Sequence, residues 1–184
     1  MNKCIKLHDN SDNSELFQLL TPSIMKWLPY DLYNKYSEFV QFYEQLSLKC
    51  ELYTVSDVKS GDKCGILTIN HIDNYHKKCE IGHVWLAEEY QGKGIMRRAV
   101  FEVLSECFNA RNYKRVAWKC DENNQKSYSF AIKNGFKKEG VFRNYETVKG
   151  KNKNAVYFAI IAEEWKKIKE DFYYDYSTAP QLFS

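Results

Sequence analysis

Three groups of residues in this sequence have types and spacings suited to chemistry. The first is Gln91-Gly92-Lys93-Gly94-Ile95-Met96, two glycines around a lysine just ahead of an apolar-periodic stretch. A helix beginning there presents about four N–H groups without intrahelical partners and about half a positive charge. Glycines lack Cβ atoms and let a phosphate approach that backbone closely, while Lys93 adds charge at the mouth. A strand-to-helix turn that uses glycine only for its geometry is the alternative these residues leave open. The second group is Asn124 and Ser127, three apart at the start of a helical pattern, where side chains point the same way. Helix capping by Asn124 and an ordinary polar position for Ser127 are the plainer roles. The third is Glu146, an acid in an aromatic and aliphatic strand pattern nineteen residues after Ser127. A carboxylate so placed suits a proton acceptor, and a solvent-facing strand position is its plainer role.

Several other chemistries are excluded. A dinucleotide fingerprint needs a small third residue where this chain has Arg97, and a P-loop needs four residues between its glycines and then Lys-Ser/Thr. His8, His71, His76 and His83 have no metal-ligand spacing and join no Cys/His cluster, so no metal is expected and all four are read as structural or surface residues. The cysteines, at 4, 50, 64, 79, 107 and 120, include no C-x-x-C pair, and several lie in apolar runs. Buried free thiols in a reducing cytoplasm are the expectation. With 27 basic residues against 24 acidic, the net charge of +3 is too balanced for a nucleic-acid binder. The KK, RR and KGKNK runs read as solvated faces. No stretch approaches the ~20 apolar residues of a membrane span, and MNKCIKLHDN lacks the apolar core of a signal peptide.

Positioning the three groups falls to a mixed α/β chain. Its 184 residues, 44% hydrophobic, are enough to bury roughly two-thirds of the unfolded surface, and one domain over 1–184 is expected. Residues 1–50 read as helical: SELFQLL (14–20), then YSEFVQFYEQLSL (36–48) with Phe39, Phe42, Tyr43 and Leu46 at helical spacing, and Pro22 and Pro29 between them. From Glu51 the pattern changes to strands over 51–55, 64–70 and 79–87, joined by SGDK and DNYHKK as an antiparallel meander. The clearest helix spans 94–110, where Ile95, Met96, Ala99, Val100, Val103, Leu104, Cys107 and Phe108 form an apolar stripe. A strand over 114–120, a helix over 125–135, strands over 136–148 and 155–162 around the turn KGKN, and a helix over 163–172 follow. Residues 173–184 lack periodicity and are expected to form a loosely held tail.

In its motifs the sequence resembles the GCN5-related N-acetyltransferase (GNAT) superfamily. EIGHVWLAEEYQGKGIM (80–96) is similar to the acetyl-coenzyme A segment of that superfamily. The motif Gln/Arg-x-x-Gly-x-Gly/Ala is met from Gln91 to Gly94, with Met96 in place of the small final residue. GKGIM also resembles the branch that acetylates the N-termini of ribosomal proteins. A second motif of that branch, N-x-x-S-x(5)-K-x-G-F, is matched by Asn124, Ser127, Lys133, Gly135 and Phe136, and EGVFRNYE resembles its strand before the acid. The likeness covers roughly residues 10–170 in element order. It implies a GNAT fold: a mostly antiparallel mixed sheet of about seven strands flanked by helices, splayed between the strands near 79–87 and 114–120.

The resemblance also assigns roles. Main-chain groups of Trp85 and Leu86 would pair with the pantetheine amides of acetyl-coenzyme A as an added strand does. Residues Gln91, Gly92, Lys93, Gly94, Ile95 and Met96 would hold the pyrophosphate, and Asn124 would reach the pantetheine arm. Ser127 would protonate the leaving thiolate, and Glu146 would take the amine proton through water. For the Trp85 ring, a plain core position is the alternative. Many superfamily members carry a tyrosine acid seven residues after the Asn; here Ala131 stands there, and Tyr128, about 100° around the helix from Ser127, is read as packing. An α-amine, with an ordinary pKa near 8 against about 10.4 for lysine, is free base several hundred times more often at neutral pH, roughly 3 kcal/mol. That favours direct transfer to the N-terminal amine of a ribosomal protein, with residues 1–50 on the acceptor side and 51–172 as the coenzyme core. A polyamine or aminoglycoside is the second acceptor, and a non-catalytic acetyl-coenzyme A-binding module is the reading from another class. Related enzymes are often dimers, so a homodimer belongs to the same expectation.

Overall fold

In the computed structural model, which describes residues 3–30 and 33–178, the alternating runs form a mixed sheet and the helical runs cover its two faces. The strands are β1 (Ile5–Leu7), β2 (Glu51–Ser56), β3 (Lys63–Asp73), β4 (Lys78–Leu86), β5 (Arg115–Asp121), β6 (Lys137–Val148) and β7 (Lys151–Ile161). They lie in the order β1-β2-β3-β4-β5-β7-β6, antiparallel everywhere except where β4 meets β5. This is the expected α/β architecture. Strand β1 falls inside the segment read as helical, and its three residues are too few for a period to show. It is fixed from outside its own sequence: the Glu102 carboxylate accepts the N–H groups of Cys4 at 3.0 Å and Ile5 at 3.3 Å.

Helices α1 (Asn13–Gln18), α2 (Pro22–Met25) and α3 (Tyr36–Ser47) cover one face. Thr21 caps α2 by accepting from the Ile24 N–H, with Pro22 at the first helical position. Leu16, Met25, Phe39 and Tyr43 bury there against Leu52, Ile66 and Trp85. The other face carries α4 (Ile95–Ser105), α5 (Gln125–Lys133) and α6 (Ala162–Thr178). The α4 stripe packs with Leu67, Ile69, Ile81 and Val116, and each fully buried Val, Leu or Ile contributes about 1.5–3 kcal/mol. The α-helix stops at Ser105, and residues Glu106–Ala110 of the expected 94–110 helix form a π turn. The expected loose tail is corrected in part, because α6 runs through Thr178; residues 179–184 lie outside the described residues. Contact with α4 holds this last turn, with Phe172 stacked on Phe101 at 3.7 Å and Asp175 paired with Arg97 at 2.5 Å. Tyr173 and Tyr174 point outward, which hides the helical period in the sequence.

Strand β4 changes face midway. Ile81 packs with α4, yet Trp85, four residues on, packs with α3. A regular strand would put both on one face. A bulge separates them: Thr68 pairs with Gly82 and Ile66 with Trp85, so one residue of β3 opposes two of β4, and His83 takes a φ of 45°. Here β4 and β5 also part. Their parallel register runs from Lys78↔Arg115 to Ile81↔Trp118 and ends, while β5 continues along β7 to Asp121↔Ala155. The splay opens at Gly82.

Candidate active site

The parted strands form a cleft of about 840 Å³ between residues 82–86 of β4 and 118–121 of β5, completed by Ser23–Pro29 around α2 and by Gly92 and Gly94–Arg97 at the start of α4. The glycine loop is built by backbone conformation. Gly92 and Gly94 have φ values of 77° and 78°, a left-handed region that other residues enter only with strain. Gly94 is the N-cap of α4 and offers no side chain to its free N–H groups, which leaves that helix end open to an anion. Gln91 Nε2 donates to the Leu86 carbonyl at 2.9 Å, tying the loop to the end of β4. The Ala87 N–H bonds to Cys64 of β3, so the backbone of Leu86, one residue earlier, faces the splay.

Not every residue singled out in the sequence sits as expected. Lys93, between two left-handed glycines, lies with its ammonium 5.4 Å over the Tyr90 ring and does not line the cleft. Six other cations line it, Lys26, Arg97, Lys119, Lys126, Lys133 and Lys153; Arg97 is paired with Asp175, and Lys126 lies 3.5 Å from Gln91 Oε1. The Trp85 ring is committed to the core, donating to the Tyr43 hydroxyl at 3.0 Å. Tyr128, by contrast, packs edge-on against Phe158, in the packing role expected of it.

Asn124 and Ser127 do line the cleft together. Asn124 caps α5, its Oδ1 accepting from the Ser127 N–H at 3.1 Å. Trp118 Nε1 donates to Ser127 Oγ at 3.1 Å. An indole N–H can only donate, so the hydroxyl accepts there and keeps its own proton for another acceptor. Cys120, also in the cleft wall, has its thiol pushed above the ordinary range by burial.

Glu146 lines the same cleft and accepts from Lys119 Nζ at 2.9 Å. The structure adds two titratable groups that the sequence does not single out as reactive. Burial pushes the Glu80 carboxyl up; Lys119 and His71 pull it back, and Glu146 adds to the rise. Burial, then Lys119 and His71, hold the His83 imidazole down to about 4, so it is neutral at pH 7. Its Nδ1 is buried without a partner, and its ring stacks on Tyr30. The sequence gives His83 a surface or purely structural place, but the bulge turns it into the cleft wall. An acid inside the apolar run EIGHVWLA is a signal for Glu80. Its nearness to Lys119 depends on the parallel pairing of Glu80 with Ala117. Among the described residues no group of three or more His, Cys, Asp or Glu is gathered to hold a metal ion, and no helix is long and apolar enough to cross a membrane.

A mixed sheet splayed at a bulged strand, with an open helix N-terminus at the mouth, is an architecture for a long extended ligand with an anionic end. The model of the acetyltransferase (GNAT) domain matches residues 4–137, and the chain belongs to that family. It is 32% identical over 106 residues to YdaF of Bacillus subtilis, named as a candidate ribosomal N-acetyltransferase, covering 58% of this chain and 57% of that protein. It is 32% identical over 88 residues to the ribosomal-protein-serine acetyltransferase of Escherichia coli K12, covering 48% and 49%. Over 105 residues it is 27% identical to the spermidine N(1)-acetyltransferase of the same organism, covering 57% and 56%. The chain spans about half the length of these curated relatives. A solved GCN5-related N-acetyltransferase from Brucella melitensis has the same fold, with a TM-score of 0.88 at 24% identity over 92% of this chain and 80% of that one.

Proposed function

We propose that the protein transfers an acetyl group from acetyl-coenzyme A to the N-terminal α-amine of a ribosomal protein, by direct attack in a ternary complex. The observation that carries the reading is the cleft itself, which brings an open helix N-terminus, a hydroxyl still able to donate and the carboxylates of Glu80 and Glu146 into one space. GNAT acetyltransferases use acetyl-coenzyme A, which supplies an activated thioester. The Leu86 backbone would hold the pantetheine arm with help from Asn124, and Gly92 to Met96 with Arg97 and Lys126 would hold the pyrophosphate. The amine nitrogen attacks the thioester carbonyl and the C–S bond breaks. Ser127 gives its proton to the departing thiolate and regains one from solvent, and the proton leaving the amine passes through water to Glu146. A specific observation favours Glu80 as a second reading for the base: Glu146 is held by Lys119, whereas the Glu80 carboxyl lies above the ordinary range.

The acceptor is argued from the amine pKa, the ribosomal-branch motifs and the two relatives with ribosomal names. The relative named for spermidine supports a small polyamine as the second reading. A cytoplasmic setting fits six free thiols, and a homodimer is proposed on the family resemblance alone. The test is to incubate the protein with labelled acetyl-coenzyme A and a panel of N-terminal peptides, polyamines and aminoglycosides. Peptides should outcompete spermidine at equal concentration. A spermidine kcat/KM above every peptide's moves the reading to the polyamine, and coenzyme binding without any acetylated product moves it to a non-catalytic module.

A further inference from the structure

We propose that Lys119 is a resident cation that sets acceptor specificity, disfavouring amines that carry a second positive charge near the reacting nitrogen. Along β5, residues 116, 118 and 120 are buried, while 115, 117, 119 and 121 alternate onto the opposite, more open face. On β4, Glu80 pairs with Ala117, one step along that face from Lys119. The Lys119 ammonium meets Glu146 at 2.9 Å and lies 5.0 Å over the Tyr145 ring, so it is held from two sides. It also acts electrostatically on both Glu80 and His83. Of the four acids along the cleft, Glu80, Asp121, Glu146 and Asp175, three are paired with resident cations, and Lys119 is the one that answers Glu146. The neighbouring Lys153 is spent differently, on Asp121 at 2.9 Å. An incoming amine with a single charge meets the Glu80 side of the cluster, while a second ammonium meets the Lys119 charge.

This inference rests on the amine-acetylation reading above, and the experiment separates the two. It compares kcat/KM for two peptide acceptors identical except at the second residue, norleucine or lysine, in the wild type, Lys119→Met and Lys119→Arg. Repulsion from a second cation brought near Lys119 in a partly screened site, offset in part by Glu146, is worth up to about tenfold. The wild type should prefer norleucine by about that factor, Lys119→Arg should keep the preference, and Lys119→Met should lose or invert it. A folded, active Lys119→Met protein that keeps the preference overturns the proposal. If circular dichroism shows that variant unfolded, Lys119→Gln takes its place: a lost preference supports the proposal and a retained one overturns it. If the wild type acetylates no peptide, the protein-terminus acceptor falls, yet pentylamine against cadaverine reads the Lys119 effect in the same way. An unchanged ratio there sinks it too.

Discussion

The Ser127 hydroxyl accepts from the Trp118 indole and can donate its own proton, toward the Cys120 sulfur or toward a ligand, and that division makes its role measurable. Ser127→Ala removes the proton without touching the backbone N–H that Asn124 caps, so kcat should fall by about 10²-fold with coenzyme affinity nearly intact. The loss should shrink with an acetyl thioester of a more acidic thiol, which needs less protonation to leave. The two carboxylates give opposite pH signatures. Glu146 raises the Glu80 carboxyl and Lys119 lowers it. Glu146→Gln therefore removes the raising charge and frees the lowering one. If Glu80 is the base, the acidic limb of the pH–rate profile moves to lower pH; if Glu146 is the base, that limb is lost. A profile unchanged in both position and height assigns neither residue to the chemistry. Ser127, Asn124 and Glu146 are visible in the sequence because each is a polar residue at a defined offset within a strongly patterned segment. Lys119 and His83 are not, because their surroundings come from other strands.

At the scale of elements, periodicity finds what its own length can reveal. Helix α3 and the first three turns of α4 are readable, since an apolar stripe repeats in each over eleven or twelve residues. The β4 bulge is not readable: Ile81 and Trp85 are both apolar, and only two different cores show that they face opposite ways. Loop 91–94 shows how one element can be tested without confusing fold and site. Gly94→Val forces a β-branched residue to a φ of 78°, at a cost of roughly 1–3 kcal/mol of stability. Gly150, at the β6–β7 turn, has a φ of 72° and open space where a Cβ would go, so Gly150→Val carries the same strain away from the coenzyme. Both variants should lose comparable stability in urea, but only Gly94→Val should lose acetyl-coenzyme A affinity, by about tenfold or more in calorimetric titration. Equal affinities would mean that the loop holds no phosphate.

Across the whole molecule, the sheet is two blocks, β1–β4 and β5–β7, joined by the short parallel register from Lys78↔Arg115 to Ile81↔Trp118. A ligand lying in the splay touches both blocks and stabilises their union. At about 100 times its dissociation constant, acetyl-coenzyme A should add about 2.7 kcal/mol, which raises Tm by roughly 5–10 °C in a chain of this size. A thermal melt that does not move with the coenzyme contradicts this placement. The bond from Trp118 to Ser127 has a consequence of another kind. The indole of Trp118 is packed in the core with α4 and α5, yet it also borders the cleft and sets its N–H on the Ser127 hydroxyl. Trp27 and Trp85 border the cleft as well, and the difference between the wild type and Trp118→Phe isolates the share of emission that belongs to Trp118. The chain thus carries its own optical probe, and the ultraviolet emission of that one indole gives a way to watch the cleft fill and empty without attaching a dye.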